Sequence, residues 1–260
     1  MLELADIITW LPAFALVLMR VGGMMLSAPL FSSTTIPVRI RAILVAAIAV
    51  VVFPIVRPDM QHLPPTLLGT AVAAGAEMII GLTVGLAVNL LFVGLQMGAS
   101  LIAQQMGLGL ARIFNPAMME EDDLLAAFYV LVATALMLAM NGHHLIISAV
   151  LDSFRALPPM TVTMQPELLD TVRGLLLSSF VIALKVSVPV VVVLFLVSLL
   201  MGFLGKTVPQ LNILVVGFPL RIGVGLLTMV ATFGITLVVF SRGYRDTVDA
   251  LAGMIGRLGA

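Results

Sequence analysis

The sequence predicts an all-α, membrane-associated protein built from broken helical hairpins, and three observations carry that prediction. First, 61% of the 260 residues are hydrophobic and 10% are charged, against roughly 25% charged in soluble domains. Second, the mean hydropathy is +1.21, which belongs in or against a bilayer. Third, the apolar residues fall into six blocks, at about 7–30, 38–56, 65–106, 124–151, 172–204 and 211–240, joined by short polar stretches. No stretch is long enough to form a separate soluble domain, and no fixed-period repeat is present.

The first block follows Glu3 and Asp6, and its first basic residue is Arg20. A cleavable signal would start positive, so this run is expected to stay in the mature protein. Pro12, Gly22-Gly23 and Pro29 interrupt it. The second block has single-span length, since a span needs roughly 20 residues. The third is twice that and carries glycines at 69, 75, 81, 85, 94 and 98. It is expected to tilt, break or double back. The fourth follows the acidic run Glu120–Asp123, which suits a helix N-terminus through the macrodipole, so a helix is expected from about Leu124. The fifth is again too long for one span and is punctuated by Lys185 and Pro189. The sixth contains Gly217, Pro219, Gly223 and Gly225, and its opening stretch 211–225 suits a bent hairpin packed on partners. Irregular backbone at membrane depth needs cover from protein or a water-filled cavity. The helices are therefore expected to be sheltered by other subunits.

Under six spans, the side bearing both termini holds Arg57, Arg155, Arg173, Arg242, Arg245 and Arg257, and the other holds Arg39, Arg41, Arg112 and Lys206. The positive-inside rule then favours a cytoplasmic C-terminus.

Several function classes are disfavoured. The formal net charge is zero and no basic stripe exists, which argues against nucleic acid. The chain has no cysteine, so disulfides and thiolate metal sites are excluded. His143 and His144 are adjacent, about 100° apart on a helix, and make poor metal partners. No H-E-x-x-H, G-x-S-x-G or P-loop pattern occurs, so neither an enzyme nor a cofactor is expected.

Four ionisable residues lie inside the apolar blocks: Arg20, Glu77, Lys185 and Arg221. Charge in hydrocarbon is costly and usually functional. One reading is a secondary transporter or ion channel, with Glu77 and Lys185 as carriers or as a buried pair and Arg221 beside them. The other is a salt bridge at a subunit interface or a water-facing position. Gly81/Gly85 and Gly94/Gly98 have small-xxx-small spacing, which lets a second helix approach closely. With Gly217, Pro219 and Arg221 they are the candidate subunit contacts.

Between the third and fourth blocks stands "QQMGLGLARIFNPAMMEEDD", residues 104–123. Gly107 and Gly109 relax the backbone. Pro116 stops a helix and biases Asn115 towards extended geometry. Met118 and Met119 are flexible and able to repack. From residue chemistry alone the stretch is either a plain interhelical connection or a deformable apolar seal in a conduit.

Four segments in order, "APLFSSTTIPVRIRAILVAAIA" (28–49), "GASLIAQQMGLGLARIFNPAM" (98–118), "NGHHLIISAVLDSFRALP" (141–158) and "VPQLNILVVGFPLRIGVGL" (208–226), resemble the FliR family of flagellar export-gate subunits, related to the SctT subunits of type III injectisomes. The resemblance spans nearly the whole chain. It implies a FliP-like portion over about 1–170 followed by a FliQ-like portion over about 171–260. It implies assembly with FliP and FliQ subunits into a funnel-like gate, with FlhB wrapped around it and FlhA nearby. The gate would lie in the bacterial inner membrane at the flagellar basal body, its core raised towards the periplasmic side. It would pass unfolded export substrates without being an enzyme itself. The resemblance also implies that a loop after Gln105-Met106-Gly107-Leu108 plugs the closed pore. In this sequence its candidate residues are Gly107, Gly109, Leu110, Ile113, Phe114, Met118 and Met119. Relatives often carry Phe at the positions of Leu110 and Ile113 and Asp at that of Asn115, whereas here the aromatic is Phe114.

Overall fold

A computed structural model of the chain describes residues 4–32, 36–56, 66–108, 123–159, 166–208, 210 and 213–258. Among them are seven helices and no strand: α1 (Leu4–Ser27), α2 (Val38–Val56), α3 (Leu67–Met106), α4 (Leu124–Ala139), α5 (Gly142–Ala156), α6 (Pro166–Thr207) and α7 (Ile213–Leu258). The all-α prediction holds. Helices α1, α2, α3, α6 and α7 are each long and apolar enough to cross a membrane.

The helix ends follow local chemistry. The Thr66 hydroxyl accepts from the Gly69 N–H at 3.2 Å and caps α3. Pro166 opens α6, where its missing N–H is not needed. Asn141 separates α4 from α5 with a left-handed φ of 56°, a conformation asparagine tolerates better than most residues. After α5 the Leu157 N–H still reaches the Ser153 carbonyl at 2.9 Å, and Pro158 follows.

Of the outcomes open to the long blocks, neither a break nor a doubling back is found among the described residues, and nor is the bent hairpin over 211–225. Helices α3, α6 and α7 run unbroken for 40, 42 and 46 residues, about 60, 63 and 69 Å at 1.5 Å per residue. Pro189 and Pro219 lie inside α6 and α7. An interior proline removes one hydrogen bond, whereas a true break in apolar surroundings would orphan several backbone groups. Continuing the helix is the smaller penalty. Most glycines of α3 act as packing points.

The chain forms two compact units. One comprises 1–90, 140–176 and 244–260, the other 91–139 and 177–243. In the first, α1 lies on α3 with almost no side chain between them. A Cβ at Gly81 would overlap the Arg20 carbonyl oxygen, one at Gly85 would lie 2.5 Å from the Met24 carbonyl oxygen, and one at Gly23 would sit 2.9 Å from the Leu82 nitrogen. Ser27 Oγ, 3.0 Å from the Leu82 carbonyl oxygen, donates across this seam. Trp10 and Phe14 of α1 pack on Phe53 of α2. Leu251 and Met254 of α7 close on Ala87, Leu90 and Leu175. The buried Tyr244 hydroxyl donates to the Gly142 carbonyl at 2.8 Å. Tyr244→Phe should lower stability by about 1 kcal/mol, read as a drop in the thermal midpoint of the detergent-solubilised chain.

In the second unit, α3 packs on α6. A Cβ at Gly94 would come 2.5 Å from the Ser179 carbonyl oxygen, and one at Gly98 2.8 Å from that of Ala183. Phe92 and Phe240 meet edge-on at 5.4 Å, and Phe128 faces Phe233 at 6.2 Å.

Candidate functional site

The candidate loop is anchored at both ends in the second unit. Helix α3 stops after Met106 through two bonds: the Gly107 N–H donates to the Gln104 carbonyl at 3.0 Å, and the Leu108 N–H to that of Ala103 at 3.1 Å. Gly107 has a φ of 83°. This is a Schellman end, in which glycine occupies the left-handed position without penalty. Gly107 is thus a fixed stop, where the sequence suggested a relaxed backbone. The stop is held in place from the side. Met106 is buried, and its Cε and Cγ lie 2.9 Å from where a Cβ on Gly225 of α7 would stand. In the sequence Gly225 reads only as a breaker, because a seat for Met106 leaves no periodic trace.

At the far end, Asp123 Oδ1 accepts from the Leu125 N–H at 3.1 Å and caps α4. The helix begins at Leu124, as the acidic run predicts. Gly109, Leu110, Ile113, Phe114, Met118 and Met119 lie outside the described residues. Of the proposed plug set, Gly107 alone is placed.

The charges in the apolar blocks have separate fates. Arg20 is fully buried, and so, nearly, is Glu77. Arg20 Nε donates to Glu77 Oε2 at 2.5 Å, and an Nη1 lies 3.3 Å from Ser153 Oγ. The guanidinium carbon stands 4.1 Å from the centroid of the Phe154 ring, within cation–π range. The structure therefore brings together α1, α3 and α5 around one ion pair. Ser153 and Phe154 belong to the "LDSFR" part of the third matching segment. No reading of the sequence connected them to Arg20, because contacts across such separations carry no periodic signal. Glu77 is thus taken up by Arg20, not by Lys185, whose side chain is exposed on α6.

Arg221 is half-buried, and its Nε has no hydrogen-bond partner among the described residues. Gly217 is buried on α7, with Met201 3.5 Å from its would-be Cβ, and Pro219 is exposed. Gly81, Gly85, Gly94 and Gly98 make their close approaches to helices of this same chain. Among the described residues no group of three or more His, Asp or Glu is placed to hold a metal. The His143 and His144 rings lie 4.2 Å apart.

The family described as "Bacterial export proteins, family 1" matches residues 11–247. The chain is 29% identical over 260 residues to the flagellar biosynthetic protein FliR of Bacillus subtilis, covering 98% of each. It is 28% identical over 235 residues to that of Caulobacter vibrioides, covering 90% of this chain and 94% of the relative. It is 27% identical over 253 residues to that of Escherichia coli K12, covering 96% and 95%.

Proposed function

The chain belongs to the bacterial export proteins, family 1, a membrane component of flagellar export, and from this we propose that it is a structural and gating subunit of the flagellar type III export channel. It assembles with FliP and FliQ subunits, through a FliP-like portion over about 1–170 and a FliQ-like portion over about 171–260, with FlhB and FlhA as neighbours. It sits in the inner membrane at the basal body, with its core raised towards the periplasmic side and its C-terminus cytoplasmic. Gly217, Pro219 and Arg221 contribute to subunit contact. The observation that carries this reading is the family match across 11–247. The rigid Schellman stop at Gly107 and the Asp123 cap support the loop's role, because a plug needs fixed ends. An export channel must pass unfolded chains of any sequence yet hold back ions and water. A soft apolar gasket of Phe114, Met118, Met119 and their neighbours yields to any side chain and closes again.

The test is to replace residues 113–119 with a short Gly-Ser linker in cells. Entry of a small impermeant dye is followed alongside filament export, after assembly with FliP and FliQ is verified. Dye entry with assembly intact is the expected result. Tight membranes with normal export would reduce the loop to a connection. The capture of Glu77 by Arg20 supports this reading over an ion pathway through Glu77, Lys185 and Arg221.

A further inference from the structure

We infer that the exposed face of α6 centred on Lys185 docks a helix of a different subunit, and that this helix carries a carboxylate opposite the lysine ammonium. The inference rests on the assembly reading above and names the chemistry of one contact within it.

Leu177, Val181, Val188, Val192, Leu199 and Phe203 are all exposed. Their spacings of four and seven residues put them in one row along the helix. Lys185 stands in that row with its side chain exposed, and it is the one charged residue between Arg173 and Lys206. From Leu177 to Phe203 the row is about 39 Å long at 1.5 Å per residue, while the hydrocarbon core is about 30 Å thick.

Lipid therefore covers this row badly in either placement. If the bilayer spans all of it, the ammonium lies about 12 Å inside the first apolar residue, where charge facing lipid is unfavourable. If the bilayer begins at Lys185, then Leu177, Phe180, Val181 and Leu184 stand in water as a contiguous apolar patch, which marks an interaction surface. A protein helix resolves both: apolar side chains cover the row, and a carboxylate meets the ammonium at its level. A second copy of this chain does not fit. The acid within the apolar blocks of its sequence, Glu77, is buried against Arg20, whereas Asp152 pairs with Arg155 and Asp170, Asp246 and Asp249 lie outside those blocks, close in sequence to Arg173, Arg242 and Arg245.

The test co-expresses the full chain with the FliP- and FliQ-type subunits and measures how much of each copurifies. Lys185→Leu is expected to lower recovery of one partner on the order of tenfold or more, because it strands that partner's buried carboxylate. Lys185→Arg should restore it. Recovery of Lys185→Leu at the wild-type level would overturn the inference while leaving the assembly reading intact. Failure of the wild-type chain to copurify would overturn the assembly reading and the inference with it. A second measurement guards against misfolding of the leucine variant: a photo-crosslinking amino acid at position 188. It should join the chain to a partner segment containing Asp or Glu, and adducts with lipid alone would count against docking.

Discussion

Glu77→Ala should destabilise the chain by about 3–5 kcal/mol, because it leaves the Arg20 guanidinium buried without its counter-charge. Arg20 is inaccessible to solvent, and Ser153 Oγ at 3.3 Å and the Phe154 face do not neutralise it. The loss is read as a lower thermal midpoint and less full-length protein in membranes. The double variant Arg20→Met with Glu77→Leu should recover most of it, since a buried pair exchanged for apolar side chains of similar volume is often near neutral. That recovery also separates two roles. A structural pair tolerates the apolar exchange, and export should persist. A carrier carboxylate does not, so a well-folded double variant without export would point to an ion-handling role for Glu77.

Gly81→Val should be at least as damaging, by a different route. The would-be Cβ overlaps the Arg20 carbonyl oxygen and lies 2.9 Å from the Met24 nitrogen. Both are backbone atoms of a helix, so no side-chain rotation relieves the clash and α1 must move off α3. Overpacking of this kind typically costs about 1–3 kcal/mol, sometimes more. Displacing α1 also loosens the Arg20–Glu77 pair, so the two losses compound. Gly75→Ala in the same helix is the control. Nothing lies within 4 Å of its would-be Cβ, and alanine should stabilise by about 0.5–1 kcal/mol. Thermal midpoints of the two variants in detergent should fall on opposite sides of wild type. A Gly81→Val chain as stable as wild type would mean that α1 and α3 do not meet this closely.

Much of the helix layout was legible in the sequence. The second block coincides with α2 at 38–56, and the acidic run places the start of α4 at Leu124. Both follow from composition over a window, which reports whether a segment prefers apolar surroundings. The same reasoning leaves Gly94 and Gly98 as either breaks or places of close helix approach, and the structure takes the second, while Pro219, which reads as a break, lies inside α7. Glycine reads alike in sequence whether it ends a helix or admits a neighbour, and only the neighbour decides. Arg20 and Glu77 were recognisable as unusual, but their pairing was not, because 57 residues separate them. The candidate site was legible at its ends, where Gly107 and Asp123 act through local backbone bonds. Its middle was legible only as residue chemistry.

The ion pair also sets an order of events during synthesis. Arg20 leaves the ribosome 57 residues before Glu77, which at about 5–20 residues per second is roughly 3–11 s. Throughout that interval α1 carries a cation with no carboxylate to meet it, and release into lipid is opposed by about 2.5–3.5 kcal/mol. The first helix should therefore linger at the insertion machinery until α3 arrives, and then leave with it as a neutral pair. Crosslinks from α1 to that machinery should persist past the emergence of α2 and vanish with that of Glu77. In Arg20→Met they should vanish early.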